Sequence, residues 1–150
     1  MFSILVVEDN ENLNKMMSAK LKMETYNVFS AFNGEEALEV LEHEHIDLII
    51  SDVMMPGIDG YELTKTLRSA NYTMPILMIT AKNQIEDMEK GFVAGTDDYM
   101  IKPINMREMI LRVNALLRRA KIANERRLIL GNTILDYDSL TIIYDGEEYN

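Results

Sequence analysis

Five short apolar runs punctuate this chain, and between them stand stretches whose apolar residues recur at helical spacing. The runs are Ile4-Leu-Val-Val7, Tyr26 to Phe32, Ile46 to Ser51, Pro75-Ile-Leu-Met-Ile79 and Asp98-Tyr-Met-Ile101. An apolar run of that length bounded by turn residues reads as a strand buried on both faces, the pattern of parallel sheets. Asn10 is placed to cap a helix with Leu13, Met16, Met17 and Leu21 on one face. Asn33-Gly34 opens a second helix carrying Ala37, Leu38 and Leu41, and Asp59 to Arg68 forms a third with Leu63 and Leu67 inward. A fourth, with Ile85, Met88 and Phe92, stops at Gly95. A last helix over about 104–119 buries Met109, Ile110, Val113, Leu116 and Leu117. Strand and helix alternate five times, which predicts an α/β fold: a doubly wound, five-stranded parallel sheet with helices on both faces. The methionines fall mostly at core spacings and are read as packing.

The third run ends in Ser51-Asp52 and is stopped by Met54-Met55-Pro56-Gly57. A carboxylate at the carboxyl end of a parallel strand sits where open α/β sheets place their chemistry. Alone, such an aspartate could simply turn the chain. The other strand ends change that: Glu8-Asp9 close the first strand, Thr80 the fourth and Lys102 the fifth. If the strands are parallel, three acids, a hydroxyl and an amine gather at one edge of the sheet.

Composition narrows the choices. With 47% hydrophobic residues, 150 residues suffice to bury a core, and no window of about 18 apolar residues suits a membrane span. The start runs directly into a strand without a basic segment, which argues against a signal peptide. There is no cysteine, so disulfides and thiolate metal sites are out. A cytoplasmic protein fits. The net charge of −10, with an excess of acid both in 1–120 and in 121–150, argues against nucleic-acid binding by bulk electrostatics.

Three carboxylates and one lysine leave the strand-end cluster two charges negative. Two like charges about 4 Å apart repel by roughly 4 kcal/mol at a surface-like dielectric. A hard divalent cation relieves this, and an oxygen-only donor set favours Mg²⁺. The neutralised site can then accept a phosphoryl group, because that chemistry needs positioning and charge compensation above all. The carboxylate itself can be the nucleophile, giving an acyl phosphate.

These residues stand in motifs that resemble the receiver domain of two-component response regulators of the OmpR (winged-helix) type. The likeness covers about residues 2–120 and rests on four segments. They are Val6-Val-Glu-Asp9, Ile50-Ser-Asp-Val-Met-Met-Pro-Gly-Ile-Asp-Gly60, Ile79-Thr-Ala-Lys82 and Gly95-Thr-Asp-Asp-Tyr-Met-Ile-Lys-Pro103. The resemblance implies a flavodoxin-like sheet of order 2-1-3-4-5. It implies Asp52 as phosphoacceptor, fed by a sensor histidine kinase, with Asp9, Asp52 and the Met54 carbonyl on Mg²⁺ and Glu8 reaching the metal through water. It also implies that Lys102 pairs with the phosphoryl oxygens, that Thr80 hydrogen-bonds to one of them, and that Tyr99 is an aromatic switch turning inward with Thr80. The Lys102-Pro103 bond resembles a position usually cis. Tyr99 is also readable as a half-buried strand aromatic. Ile104 and Thr96 depart from the family, where Phe and Ala are usual.

The same resemblance implies a homodimer, formed on phosphorylation through the last two helices and the strand between them. Lys90, Asp97, Asp98, Glu108 and Arg112 match charged positions of that face, with Lys90–Glu108 and Asp98–Arg112 as pairs across a twofold axis. The plain alternative is surface charge worth about 0–1 kcal/mol per pair.

Residues 1–120 are thus expected to form the receiver and 121–126 a linker able to extend the last helix. In 127–150 the runs Leu128-Ile-Leu-Gly131, Ile134-Leu-Asp-Tyr137 and Leu140 to Tyr144, with the Asp145-Gly146 turn, predict a short antiparallel β segment. It resembles the N-terminal β-platform of a winged-helix DNA-binding domain, and the chain is expected to be truncated before the recognition helix. DNA would be bound only through that C-terminal winged helix, and no membrane is involved.

Three rivals share parts of this pattern. A haloacid-dehalogenase-type phosphatase carries an acid/base aspartate two residues after its nucleophile; Met54 stands there, so turnover should be poor and the chain is read as a phosphoacceptor rather than an enzyme. A flavodoxin-like flavin carrier would suffer repulsion between the cofactor phosphate and Glu8-Asp-Asn-Glu-Asn12. A stand-alone receiver acting through protein contacts alone fits poorly with the tail beyond residue 126.

Overall fold

The structure, a computed structural model, describes residues 1–81, 89–90, 92 and 94–136, the last ten of these by their backbone alone. Ser3–Val7 (β1), Asn27–Ala31 (β2), Leu48–Asp52 (β3), Ile76–Thr80 (β4) and Asp98–Ile101 (β5) form one sheet in the order β2-β1-β3-β4-β5. Every pairing is parallel. Glu11–Met23 (α1), Gly34–His43 (α2), Gly60–Ser69 (α3) and Met106–Asp136 (α4) are helices, and Glu89, Lys90, Phe92 and Ala94 are helical too. Contacts divide the chain into Met1–Leu116 and Leu117–Asn150.

Burial shows why the central strands read as unbroken apolar runs. Ile4, Leu5, Val6 and Val7 are all fully buried, as are Ile76 to Ile79 to within 1%. Successive strand residues point to opposite faces, so helices must cover both sides of the sheet. Leu5, Val7 and Ile49 share one core cluster with Ala37 and Leu41 of α2 and Leu63 and Leu67 of α3. Burying each such Leu or Ile side chain contributes about 1.5–3 kcal/mol. The edge strand β2 is half-exposed along most of its length, which explains its weaker sequence signal.

The helix starts match their caps. Asn10 Oδ1 accepts the Leu13 N–H at 2.9 Å, and Asn33 Oδ1 accepts that of Glu36 at 2.8 Å. Asp59 and Glu62 close a reciprocal capping box at the start of α3.

Two expectations change. The buried stripe of α1 is Asn14, Met17, Ser18 and Leu21, not Leu13, Met16, Met17 and Leu21. Met16 is 57% exposed. The helix is rotated so that two polar residues face inward, because strand-end carbonyls and a serine supply their hydrogen bonds. In the second unit, helix α4 continues through 121–126 and on to Asp136, across 127–136 where strand was expected. No breaker interrupts it before Gly131, and its Arg, Ala, Glu and Leu residues favour helix. The remaining residues of the expected antiparallel segment, with Asp145-Gly146, lie outside the described residues, as do Ile85 and Met88. Among the described residues no helix is long and apolar enough to cross a membrane.

Candidate functional site

In the order 2-1-3 the chain reverses its winding direction beside β1, and the crevice at the carboxyl ends of β1 and β3 is the switch point where such sheets bind ligands. Glu8 follows β1 directly and is held there by its N–H on the Ala31 carbonyl at 3.1 Å. Its side chain is 1% exposed. Oε2 accepts the Asn10 N–H at 3.0 Å, while the buried Oε1 makes no hydrogen bond among the described residues and lies 3.3 Å from Lys102 Nζ. Asp52, the last residue of β3, is 4% exposed; Asp9 is exposed. One carboxylate oxygen from each of Glu8, Asp9 and Asp52 lies within 4.8 Å of the others.

Lys102 comes one residue after β5. Its N–H donates to the Thr80 carbonyl at 2.7 Å, its peptide bond to Pro103 is cis, and its Nζ donates to Asp52 Oδ2 at 3.0 Å. Thr80 ends β4 and is buried one residue beyond the partner of Asp52 in the β3–β4 register. The structure therefore brings Glu8, Asp9, Asp52, Thr80 and Lys102 to one edge of the sheet, as their positions at strand ends predict. Gly60 packs against the backbone at the end of β3. A Cβ there would collide with the Asp52 carbonyl oxygen and sit 2.8 Å from Met78 Sδ.

The charges bear on one another. Burial pushes the Glu8 carboxyl up to about 7, opposed by the Asn10 N–H and reinforced by the charge of Asp52. Burial alone would lower the Lys102 ammonium, but its hydrogen bond to Asp52 and the charges of Asp52 and Glu8 hold it above its ordinary value. Three clustered carboxylates, one of them with a buried oxygen that has the Lys102 ammonium beside it but no hydrogen bond among the described residues, form an oxygen-only donor set suited to a hard divalent cation. The Met54 thioether points to solvent, so that residue can offer the cluster only its backbone.

Tyr99 is buried in a cluster with Val53, Tyr61 and Met78. Its hydroxyl donates to the Tyr61 hydroxyl at 3.2 Å, and its ring meets Phe92 edge-on at 5.3 Å. Lys90 Nζ lies 5.6 Å from the centre of the Tyr61 ring. Sequence reasoning missed Tyr61; its place directly after Gly60 in the first turn of α3 is the signal it left. Within the single chain, Arg112 grips Asp98 through two bonds of 2.9 and 3.0 Å and Glu108 at 3.0 Å. Asp97 pairs with Arg68 at 2.9 Å.

Residues 4–114 match the family of response regulator receiver domains. The chain is 37% identical over 150 residues to the heme response regulator HssR of Staphylococcus epidermidis, a match covering all of this chain and 66% of that protein. It thus spans a little under two thirds of that relative's length. Among solved structures, the receiver domain of a Francisella response regulator superposes with a TM-score of 0.76 at 33% identity, covering 80% of this chain and 99% of that one. DrrB of Thermotoga maritima, an OmpR/PhoB homologue, gives 0.74 at 32% identity over 80% of this chain and 54% of its own. The parallel sheet, the strand-end acids with their lysine and the extent of these matches lead to one conclusion: the chain belongs to the response regulator receiver domain family.

Proposed function

We propose that Asp52 accepts a phosphoryl group from the phosphohistidine of a sensor kinase, and that the resulting acyl phosphate switches the protein into a dimerising form. The observation that carries this reading is the Lys102 ammonium 3.0 Å from the Asp52 carboxylate, with Glu8 and Asp9 oxygens in the same cluster. A carboxylate oxygen of Asp52 attacks phosphorus, the new O–P bond forms as the P–N bond breaks, and the kinase imidazole leaves. Lys102 orients the carboxylate through its hydrogen bond to Oδ2, then follows the transferred oxygens. Thr80 offers a hydroxyl to one of them. A Mg²⁺ held by Asp9, Asp52 and the Met54 carbonyl, with Glu8 behind a water, would supply charge neutralisation for the incoming phosphoryl group. No general acid stands two residues beyond Asp52, so the protein acts as a phosphoacceptor rather than as a turnover enzyme.

Activation shifts a pre-existing equilibrium. Thr80 and Tyr99 couple the phosphoryl group to the face carrying Lys90, Asp97, Asp98, Glu108 and Arg112, where two copies meet. Residues 1–120 act as the receiver in the cytoplasm, 121–126 link it onward and 127–150 open an effector domain. The greater length of HssR and the OmpR/PhoB description of DrrB support a DNA-binding, transcriptional output.

The test is labelling by acetyl phosphate with Mg²⁺, read by intact mass. The wild-type protein gains one phosphoryl group, and Asp52→Asn and Asp52→Ala gain none. Full labelling of either variant removes Asp52 from its role.

A further inference from the structure

Asn14 is a buried amide on the inner face of α1, one turn in from its Asn10 cap, a place where apolar residues are the norm. It is 1% exposed on the inner stripe of α1. Asparagine is a poor helix former, and a buried amide is costly unless its hydrogen bonds are made. Here they are. Nδ2 donates to the Glu8 carbonyl at 3.0 Å and to the Ala31 carbonyl at 3.1 Å, and Oδ1 accepts the Ser18 hydroxyl at 3.2 Å.

The two carbonyls belong to the residues where β1 and β2 end. Glu8 N–H already bonds the Ala31 carbonyl, so Asn14 extends the β1–β2 pairing by one step with a side chain where the strands themselves part. Glu8 is tied at four points: its N–H to Ala31, its carbonyl to Asn14, and its carboxylate to the Asn10 N–H and the Lys102 ammonium. Asp9 is suspended between that fixed carbonyl and the capped start of α1, where Asn10 accepts the Leu13 N–H. The amide of Asn14 thus helps to fix the peptide plane that joins Glu8 to Asp9, from which both residues present their carboxylates.

We propose that Asn14 is a positioning residue for the divalent cation: its paired hydrogen bonds to the Glu8 and Ala31 carbonyls hold the Glu8-Asp9 turn in the geometry in which both carboxylates converge with Asp52. The proposal rests on the cation-binding reading of the strand-end cluster. Groups that orient metal ligands from behind typically change affinity by roughly ten- to a hundredfold when removed. A residue that merely fills the core would change stability and leave affinity alone.

The experiment is Mn²⁺ binding to the unphosphorylated protein, read by electron paramagnetic resonance, with melting temperature measured in parallel. Asn14→Leu keeps the branched shape of the side chain and removes both donors. Asn14→Ala carries the test if the leucine variant does not fold. Leu21→Ala is the control: it opens a cavity two turns further along the same helix stripe and leaves the Glu8 carbonyl untouched. The expected result is a loss of Mn²⁺ affinity of roughly tenfold or more in the Asn14 variant. Leu21→Ala should bind within about twofold of wild type despite an equal or larger fall in melting temperature. Raising Mg²⁺ should restore the acetyl phosphate labelling rate of the Asn14 variant. Wild-type affinity in the Asn14 variant, or an equal loss in Leu21→Ala, overturns the proposal while leaving the cation site standing. A wild-type protein that binds no Mn²⁺ overturns the cation reading itself, and the proposal with it.

Discussion

Lys102 Nζ donates to Asp52 Oδ2 at 3.0 Å, across fifty positions of sequence, and the same ammonium lies 3.3 Å from Glu8 Oε1. One cation thus bridges two carboxylates that are almost wholly buried. Lys102 itself keeps 27% of its side chain exposed, so its ammonium is less confined than the two carboxylates it bridges. The Glu8, Asp9 and Asp52 carboxylates outnumber this one ammonium, so the cluster suits a further cation.

Removing the ammonium should separate cation binding from activation. Lys102→Ala makes the cluster more negative, so Mn²⁺ affinity is expected to be unchanged or tighter. Dimerisation driven by acetyl phosphate, followed by sedimentation, should fall by about tenfold, the loss of one charge-assisted bond. Unchanged dimerisation in this variant would contradict the role assigned to Lys102.

The buried Glu8 carboxyl makes stability depend on pH. Its folded value of about 7 lies above the ordinary 4.5, so between those limits the folded protein holds a proton that the unfolded chain has released. Stability is therefore greatest below about 4.5 for this group and falls as pH rises through 7, by about 3 kcal/mol in all. Without divalent cations, the wild-type melting temperature should exceed its pH 7.5 value at pH 5.5, and Glu8→Gln should flatten that rise. Mg²⁺ at pH 7.5 should replace the proton and raise the melting temperature. Identical pH profiles for wild type and Glu8→Gln would show that Glu8 does not carry the effect.

Thr96 is buried, and its Oγ1 has no hydrogen-bond partner among the described residues. An unsatisfied buried hydroxyl costs about 1–3 kcal/mol. Thr96→Val replaces it with a methyl of the same shape and should stabilise the protein by about 1 kcal/mol in urea unfolding, with labelling of Asp52 unaffected. A destabilised valine variant would mean that the hydroxyl is satisfied in solution.

Arg112 is satisfied inside its own chain by Asp98 and Glu108. A pairing of Asp98 with Arg112 across a twofold axis would exchange a partly exposed bond for one sheltered from salt and water at an interface, where it is screened less. Arg112→Ala should change monomer stability by no more than about 1 kcal/mol, while weakening the phosphorylated dimer measurably in sedimentation. A dimer of wild-type strength would place Arg112 outside the contact.

The sheet was legible because strands buried on both faces leave contiguous apolar runs, and β1, β3 and β4 lie within a residue or two of theirs. That Glu8, Asp9, Asp52, Thr80 and Lys102 gather at one edge was legible because the carboxyl ends of parallel strands lie side by side, and sequence marks those ends by where each apolar run stops. The buried face of α1 was not. Its inner stripe contains Asn14 and Ser18, and polar residues can face a core only when carbonyls from other elements meet them. Helix from 127 to 136 was missed for a different reason: short apolar runs such as Leu128-Ile-Leu130 do not distinguish strand from helix by period. The charges of Asp98 and Arg112 were visible as a candidate contact, but nothing in their spacing said that they would meet within one chain.

Residue order by itself determined the alternation of elements and which functional groups stand at each strand end, since both follow from local periodicity and local turn chemistry. Parallel register decided the rest: that Lys102 reaches Asp52 and Glu8, that Glu8 is buried deeply enough to hold its proton near neutrality, and that Tyr99 lies against Tyr61. Those are distances between residues far apart in the chain, and only the packing of strands and helices against one another sets them.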